Sequence, residues 1–261
     1  MLWRTSRRPE RPPRKFVLPS FRRVSYTRAT RHPWPCLLFL LPLLLAYEGG
    51  VVWVGGTQAD ALRNGADTWL RWALESFGLH QLYCAPLLLA VVFMVWSWAR
   101  REDRPEDLLG VFSGMAIESV VFGLGLWGLS RGLGPLLDAL NVELNCPAPA
   151  EEAVAQVITF VGAGIYEEVL FRLVLYSALV WLLRLLQTPA VLAMVVAAGV
   201  SATLFSAAHH IGPYGEAFDD YVFLFRTLAG LYFAALYQLR GFGIAVGAHA
   251  CYDVLVGIAV G

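Results

Sequence analysis

Apolar residues along the chain gather into long runs divided by short polar stretches, the pattern of membrane-crossing helices. Six runs, 36–54, 82–99, 108–129, 190–208, 221–239 and 244–260, approach the ~20 residues that a crossing helix needs. A seventh, 151–183, begins moderately amphipathic, passes Gly162 and Gly164, and turns apolar up to Arg184. Hydropathy leaves open whether it is one long tilted helix or a short interfacial helix joined to a span. The predicted fold is all-α: a polytopic transmembrane helical bundle of about seven spans, with six to eight compatible with the pattern. The stretch 56–78, with helix-like spacing at Leu62, Trp69, Leu70 and Ala73, is expected outside the membrane.

Composition excludes a water-soluble domain. Of 261 residues, 57% are hydrophobic and only 15% charged, against about 25% charged in soluble proteins, and mean hydropathy is +0.57. Net charge is zero, yet up to Arg31 ten basic residues stand against the single acid Glu10. Residues 1–32 are therefore expected to form a disordered basic arm near anionic headgroups, each basic residue contributing ~1 kcal/mol close to the surface. Nucleic acid is not an expected partner. Basic residues stay cytoplasmic, which puts the N-terminus inside and returns Arg100, Arg101, Arg104, Arg184 and Arg240 to that side. The charged arm is too long, and lacks the small-residue cleavage pattern, for a removable signal. Arginine outnumbers lysine nineteen to one, the usage of a GC-rich bacterial genome, so a bacterial inner membrane is the expected location. Cys36, Cys84 and Cys251 lie in apolar runs and Cys146 in a loop, with no disulfide or zinc-knuckle spacing. Three regions follow: the arm 1–32, helices and loops over 33–149, and a chemistry-bearing region over 150–261.

In that last region ionisable residues stand at membrane depth, where each costs on the order of 2.5 to 3.5 kcal/mol. Glu167, Glu168 and Arg172 form one group, His209 and His210 another, His249 and Asp253 a third. Glu168 and Arg172 are four apart, as are Phe205 and His209, and His249 and Asp253, so each pair shares a helix face. Polar faces in lipid turn inward and meet. Glu167 lies ~100° around the helix from Glu168, which lets one carboxylate pair with Arg172 while the other stays free to titrate, as suits a general base. Two histidines could position a water, hold a metal or stabilise an oxyanion, and Asp253 could orient His249 or receive a hydrogen bond from a substrate. Such a set suits hydrolysis by activated water. The hydropathy map, however, draws His209 near the far face and His249 near the basic one.

The three groups, Glu167-Glu168-Val-Leu-Phe-Arg172, Phe205-Ser-Ala-Ala-His209 and His249-Ala-Cys-Tyr-Asp253, together resemble the ordered EExxxR, FxxxH and HxxxN/D signature of the CAAX-protease and bacteriocin-processing (CPBP, or Abi) family of intramembrane proteases. The resemblance covers about 150–261 and implies a CAAX-prenyl-protease-like endopeptidase acting on a membrane-associated protein or peptide. It implies that Glu167 activates water and that His209, His249 and Asp253 complete the site, with Glu168, Arg172 and Phe205 in support. Aspartate in place of the common asparagine at 253 adds a possible negative charge. Two cofactor states stay open: zinc held by His209, His249 and Glu167, which would leave Glu168 as base, or a metal-free site. There is no HExxH. Because bacteria ordinarily lack prenylated CAAX proteins, the substrate is left unassigned.

Other polar residues have plainer expectations. Arg226 should pair with Asp219 or Asp220 at a helix start, though it could also face the site; Glu48 and Glu118 should pair or sit at an interface, and His210 should be interfacial. Cys251 lies ~200° from His249 around a helix and has nothing to activate a thiolate. The loop 210–216 either shapes substrate access or is an ordinary turn. The rival reading is a non-catalytic membrane scaffold or bacteriocin-immunity-type factor, in which the motif residues serve stability or binding. A transporter is disfavoured by the absence of inverted repeats.

Overall fold

The computed structural model describes residues 25–80, 83–139, 153–212 and 215–260, so most of the expected arm and the loop holding Cys146 lie outside it. Every regular element among these residues is helical: α1 Tyr26–Ala29, α2 Pro33–Gly55, a 3-10 segment Gly56–Leu62, α3 Gly65–Glu75, α4 Cys84–Ala99, α5 Leu108–Ala139, α6 Ala153–Glu168, α7 Ser177–Leu185, α8 Ala190–Ala208, α9 Asp220–Arg240 and α10 Phe242–Val260. Helix starts carry local caps. The His32 ring accepts from Trp34 N, Asn64 from Asp67 N and Asp219 from Val222 N, each satisfying an orphan first-turn donor. The chain is an integral membrane protein by the length and apolarity of α2, α5 (Leu108–Leu137), α8 and α9, with α4 and part of α10 as shorter apolar helices. Length and composition thus single out four of the expected seven spans. The 16 residues of α4 reach roughly 24 Å at 1.5 Å per residue, short of the ~30 Å hydrocarbon core.

Large apolar side chains point outward along these helices, among them Leu45, Trp53, Leu87, Trp98, Trp181 and Val191. Lipid accepts such a surface where water would not. Inside, Leu40, Tyr47, Phe93, Met115, Ile165 and Ile244 tie α2, α4, α5, α6 and α10 into one core, and Leu126, Phe233 and Ala248 form a second between α5, α9 and α10. Helix α10 is the axis of the bundle, buried continuously from Phe242 to Ala250.

Two expectations change at this level. Residues 25–32 are docked rather than loose: α1 forms, Thr30 Oγ1 donates to Arg240 O at 2.7 Å, Arg31 Nε to Leu239 O at 3.1 Å, and the His32 ring contacts Arg100 O at 2.9 Å. The run expected over 151–183 is one helical path, in which α6 passes through a π-helical segment, Val169–Tyr176, into α7. Its widened carbonyls find side-chain donors: Ser201 of α8 on Phe171 O at 2.7 Å and Ser177 on Arg172 O at 3.1 Å, the kind of insertion that opens an α-helical ladder.

Candidate active site

Three helices reach the site because small residues let them approach. A Cβ on Gly164 would lie 2.7 Å from Ala250 N, and one on Gly230 would lie 2.9 Å from Ala202 Cα. Glycine at 164 therefore lets α6 press onto α10 one turn from Glu167 and Glu168, and glycine at 230 seats α9 against α8. The chain here places both carboxylates at the end of α6, just before the π segment, opposite His249.

Behind the site, Glu168 and Arg172 are fully buried, with Arg172 Nη1 3.1 Å from Glu168 Oε1. The guanidinium donates to Gly230 O at 3.2 Å and lies over the rings of Phe205 at 4.5 Å and Phe233 at 5.4 Å, so aromatic faces cover a charge that lipid would reject. Glu168 Oε1 also takes His249 Nδ1 at 2.8 Å. A carboxylate only accepts, which makes Nδ1 the donor and turns Nε2 of His249 toward the front. Phe233 stacks on the same ring at 4.3 Å and 16°.

At the front, His249 Nε2 is 3.4 Å from Asp253 Oδ2 and 3.7 Å from Glu167 Oε2, while His209 Nε2 is 3.9 Å from Glu167 Oε1. His209 Nδ1 folds back onto Phe205 O at 2.9 Å, so this ring too presents Nε2 to Glu167. Phe205 packs edge-on against both histidines, at 5.1 and 5.9 Å. Glu167, His209, His249 and Asp253 are thus brought together, with Glu168, Arg172 and Phe205 directly behind. The two histidines that hydropathy draws near opposite faces meet because His249 sits seven residues into α10, about 10 Å along its axis, and the His209 ring turns back along α8.

Two cavities open on this cluster, of about 430 and 200 Å³, sharing Glu167, His209 and Glu216 as walls. The larger runs between α6, α9 and α10 past Phe233, Phe225 and Tyr252; the smaller runs under α3 past Trp69 and Trp72. The roof helix α3 and the ring of Phe233 are contributions that the motifs do not reveal. Arg226 corrects an expectation: it pairs with Glu216, not with Asp219 or Asp220, through Nη1 to Oε2 at 2.8 Å and Nη2 to Oε1 at 2.9 Å. Asp219 is already engaged as the cap of α9. These hydrogen bonds from Arg226 hold the Glu216 carboxyl below the ordinary carboxylate range. His210 sits beside Phe218 and contacts Glu216 O at 3.1 Å, away from Glu167. Cys251 packs against Gly123 on α5.

The expectation of a possible zinc can be tested on donor geometry. Among the described residues no three His, Cys, Asp or Glu side chains are grouped as a metal ion requires. On that grouping the described donors do not fit zinc.

No curated protein and no solved structure matches the chain. Residues 149–255 match the family model described as Type II CAAX prenyl endopeptidase Rce1-like. That segment begins just before α6, ends within α10 and holds every residue of the cluster. Over those residues the chain is similar to the Rce1-like type II CAAX prenyl endopeptidases, in agreement with the membrane protease family that its three motifs resemble.

Proposed function

We propose that the protein is an intramembrane endopeptidase in which Glu167 activates water to hydrolyse a peptide bond of a membrane-associated protein or peptide. The observation that carries this reading is the pair of gaps, 3.7 and 3.9 Å, between the Glu167 oxygens and Nε2 of His249 and His209. Each gap is too long for a direct hydrogen bond and suits a single water oxygen ~2.8 Å from both atoms. Glu167 takes a proton from that water as its oxygen attacks the carbonyl carbon. The resulting oxyanion receives a hydrogen bond from a protonated His249 or His209. The C–N bond then breaks while the proton on Glu167 passes to the leaving nitrogen, giving a carboxylic acid and an amine. Glu168 and Asp253 orient the His249 ring from its two sides, and Phe205 and Phe233 keep it from turning.

In this reading α2, α4, α5, the path from α6 to α7, α8, α9 and α10 make seven crossings of a bacterial inner membrane. The end carrying Arg31, Arg100, Arg101, Arg104 and Arg240 faces the cytoplasm. The test is cleavage of a membrane-anchored peptide library by purified wild type and Glu167→Ala, with products mapped by mass. Cleavage by wild type that vanishes in a folded Glu167→Ala supports the reading; cleavage that persists in the variant rules it out.

A further inference from the structure

Beyond the cluster, the wall of the larger cavity holds a polar atom that neither hydrolysis nor the fold uses. Asn64 lines that cavity together with Thr159, Ala163 and Glu167. It stands just before α3, outside the residues that match the family model. Its Oδ1 accepts from Asp67 N at 2.7 Å. A backbone N–H only donates, so the atom facing it is the oxygen, and this fixes the amide nitrogen on the other side. That nitrogen, Nδ2, is buried without a hydrogen-bond partner among the described residues, on a residue only 8% exposed.

Capping does not account for it. Serine and aspartate cap a helix start about as well as asparagine, and neither brings a covered NH2 group with it. A buried donor left unpaired costs stability, so the amide calls for an acceptor that arrives from outside. The cavity says which kind. Its walls include Phe160, Ala163, Phe225 and Val256, apolar surface that leaves the backbone groups of an entering chain unsatisfied once water is expelled. Away from the cluster, other donors of the wall are already spent: Thr159 Oγ1 on Leu62 O at 3.3 Å, the Tyr221 hydroxyl on Ser130 O at 3.4 Å, and Arg226 on both oxygens of Glu216. A peptide carbonyl is the matching acceptor for Asn64, uncharged like the amide itself. The Thr159 bond also sets the position, because it holds this turn against α6 eight positions before Glu167. That is about 12 Å along the helix axis, which an extended peptide covers in about three or four residues.

We infer that Asn64 is a substrate-binding residue whose Nδ2 donates to a backbone carbonyl of a peptide lying extended in the larger cavity, about three or four residues from the bond that is cut. The inference rests on the reading that the Glu167 cluster cleaves peptides, and it adds that a side chain far upstream of the three motifs holds the substrate backbone in register with Glu167.

The test uses the full-length protein in detergent and membrane-anchored peptides. Asn64→Asp and Asn64→Ser both keep an oxygen to cap Asp67 N and remove the amide donor, so both should melt close to wild type. Each should raise KM about three- to tenfold and change kcat far less, the signature of binding lost equally from ground and transition states. Peptides with one backbone carbonyl at a time changed to a thiocarbonyl, a weaker acceptor, locate the contact: one position should raise KM for wild type and have little further effect in Asn64→Ser. Unchanged KM in both variants, or a series in which no position distinguishes wild type from Asn64→Ser, overturns the inference and leaves hydrolysis standing. A second arm measures binding of the same peptides to folded Glu167→Gln, with and without Asn64→Ser. Binding weakened by Asn64→Ser there, without cleavage in any wild-type assay, would keep the contact and sink the hydrolysis; binding unchanged by Asn64→Ser overturns the contact.

Discussion

Two polar clusters lie on adjoining faces of α6, reached through neighbouring residues. Tyr166 leads to the first, where its hydroxyl donates to Glu48 Oε1 at 2.9 Å. Arg63 bridges Glu48 Oε2 at 3.2 Å and Asp67 Oδ2 at 2.7 Å, Arg71 bridges Glu48 Oε1 at 3.0 Å and Asp67 Oδ1 at 2.7 Å, and Tyr47 donates to Asp67 Oδ2 at 2.9 Å. All four oxygens of Glu48 and Asp67 are matched by the two guanidiniums, and exposed Asp60 adds a third carboxylate on Arg63 Nε at 3.2 Å. Glu167, one residue on, has its oxygens 3.7 and 3.9 Å from their nearest histidine nitrogens and faces a cavity. Both clusters bear the desolvation that ionisable groups suffer away from water, and they resolve it differently. The first closes on itself and clamps α3 onto α2 and α6. The second leaves its front open to a cavity, which is how a structural ion network and the proposed reactive site part company although built from the same residue types.

Breaking the open cluster should affect turnover most. His209→Ala and His249→Ala should each lower cleavage by a factor of ~10² to 10⁴. Melting in detergent should separate them: His249→Ala also strips a partner from fully buried Glu168 and should melt earlier, while the more exposed His209 should leave melting close to wild type.

Breaking the closed cluster should reverse that profile. Glu48→Ala leaves two guanidiniums short of a partner in a buried network, and losing one member of such a network costs about 3 to 5 kcal/mol. Denaturant unfolding should register that loss, with turnover per folded molecule falling far less than for the histidine variants. Between the clusters, Gly164→Ala drives a methyl into the backbone of α10. Overpacking costs about 1 to 3 kcal/mol, and by parting Glu168 from His249 it should lower kcat more than it raises KM.

The smallest effect is a pH dependence. The Glu216 carboxyl is held below its ordinary range by hydrogen bonds from Arg226, so their pairing is complete above the unfolded carboxylate value and is lost as pH falls through the depressed folded one. The stability that this pair adds should therefore fade in acid, and the fall in melting temperature with pH should be shallower in Glu216→Gln than in wild type.

The sequence made the open cluster legible through spacing, since Glu168 and Arg172, Phe205 and His209, and His249 and Asp253 each share a helix face. The all-helical, membrane-embedded fold was legible for a similar reason, as long apolar runs have few other uses. What stayed hidden is what spacing cannot encode. Glu118 pairs with Arg240 across 122 positions, and Glu48 finds Arg71 across 23, so both read as isolated acids. Arg226 has Asp219 and Asp220 nearer in sequence, but capping engages Asp219 and leaves Glu216, ten positions away, as the partner. The π segment leaves no mark on hydropathy because it changes how the backbone bonds close, not which residues are apolar.

The central claim is that Glu167 is the base that activates water while its surroundings hold the fold without it. The most direct measurement is single-turnover cleavage of one anchored peptide by wild type and Glu167→Gln, alongside their melting temperatures. The account predicts unchanged melting, since among the described residues the histidine nitrogens facing Glu167 stay 3.7 and 3.9 Å from its oxygens, and cleavage reduced by at least about a hundredfold. Glu167→Gln that melts as wild type and cleaves at the wild-type rate would contradict it.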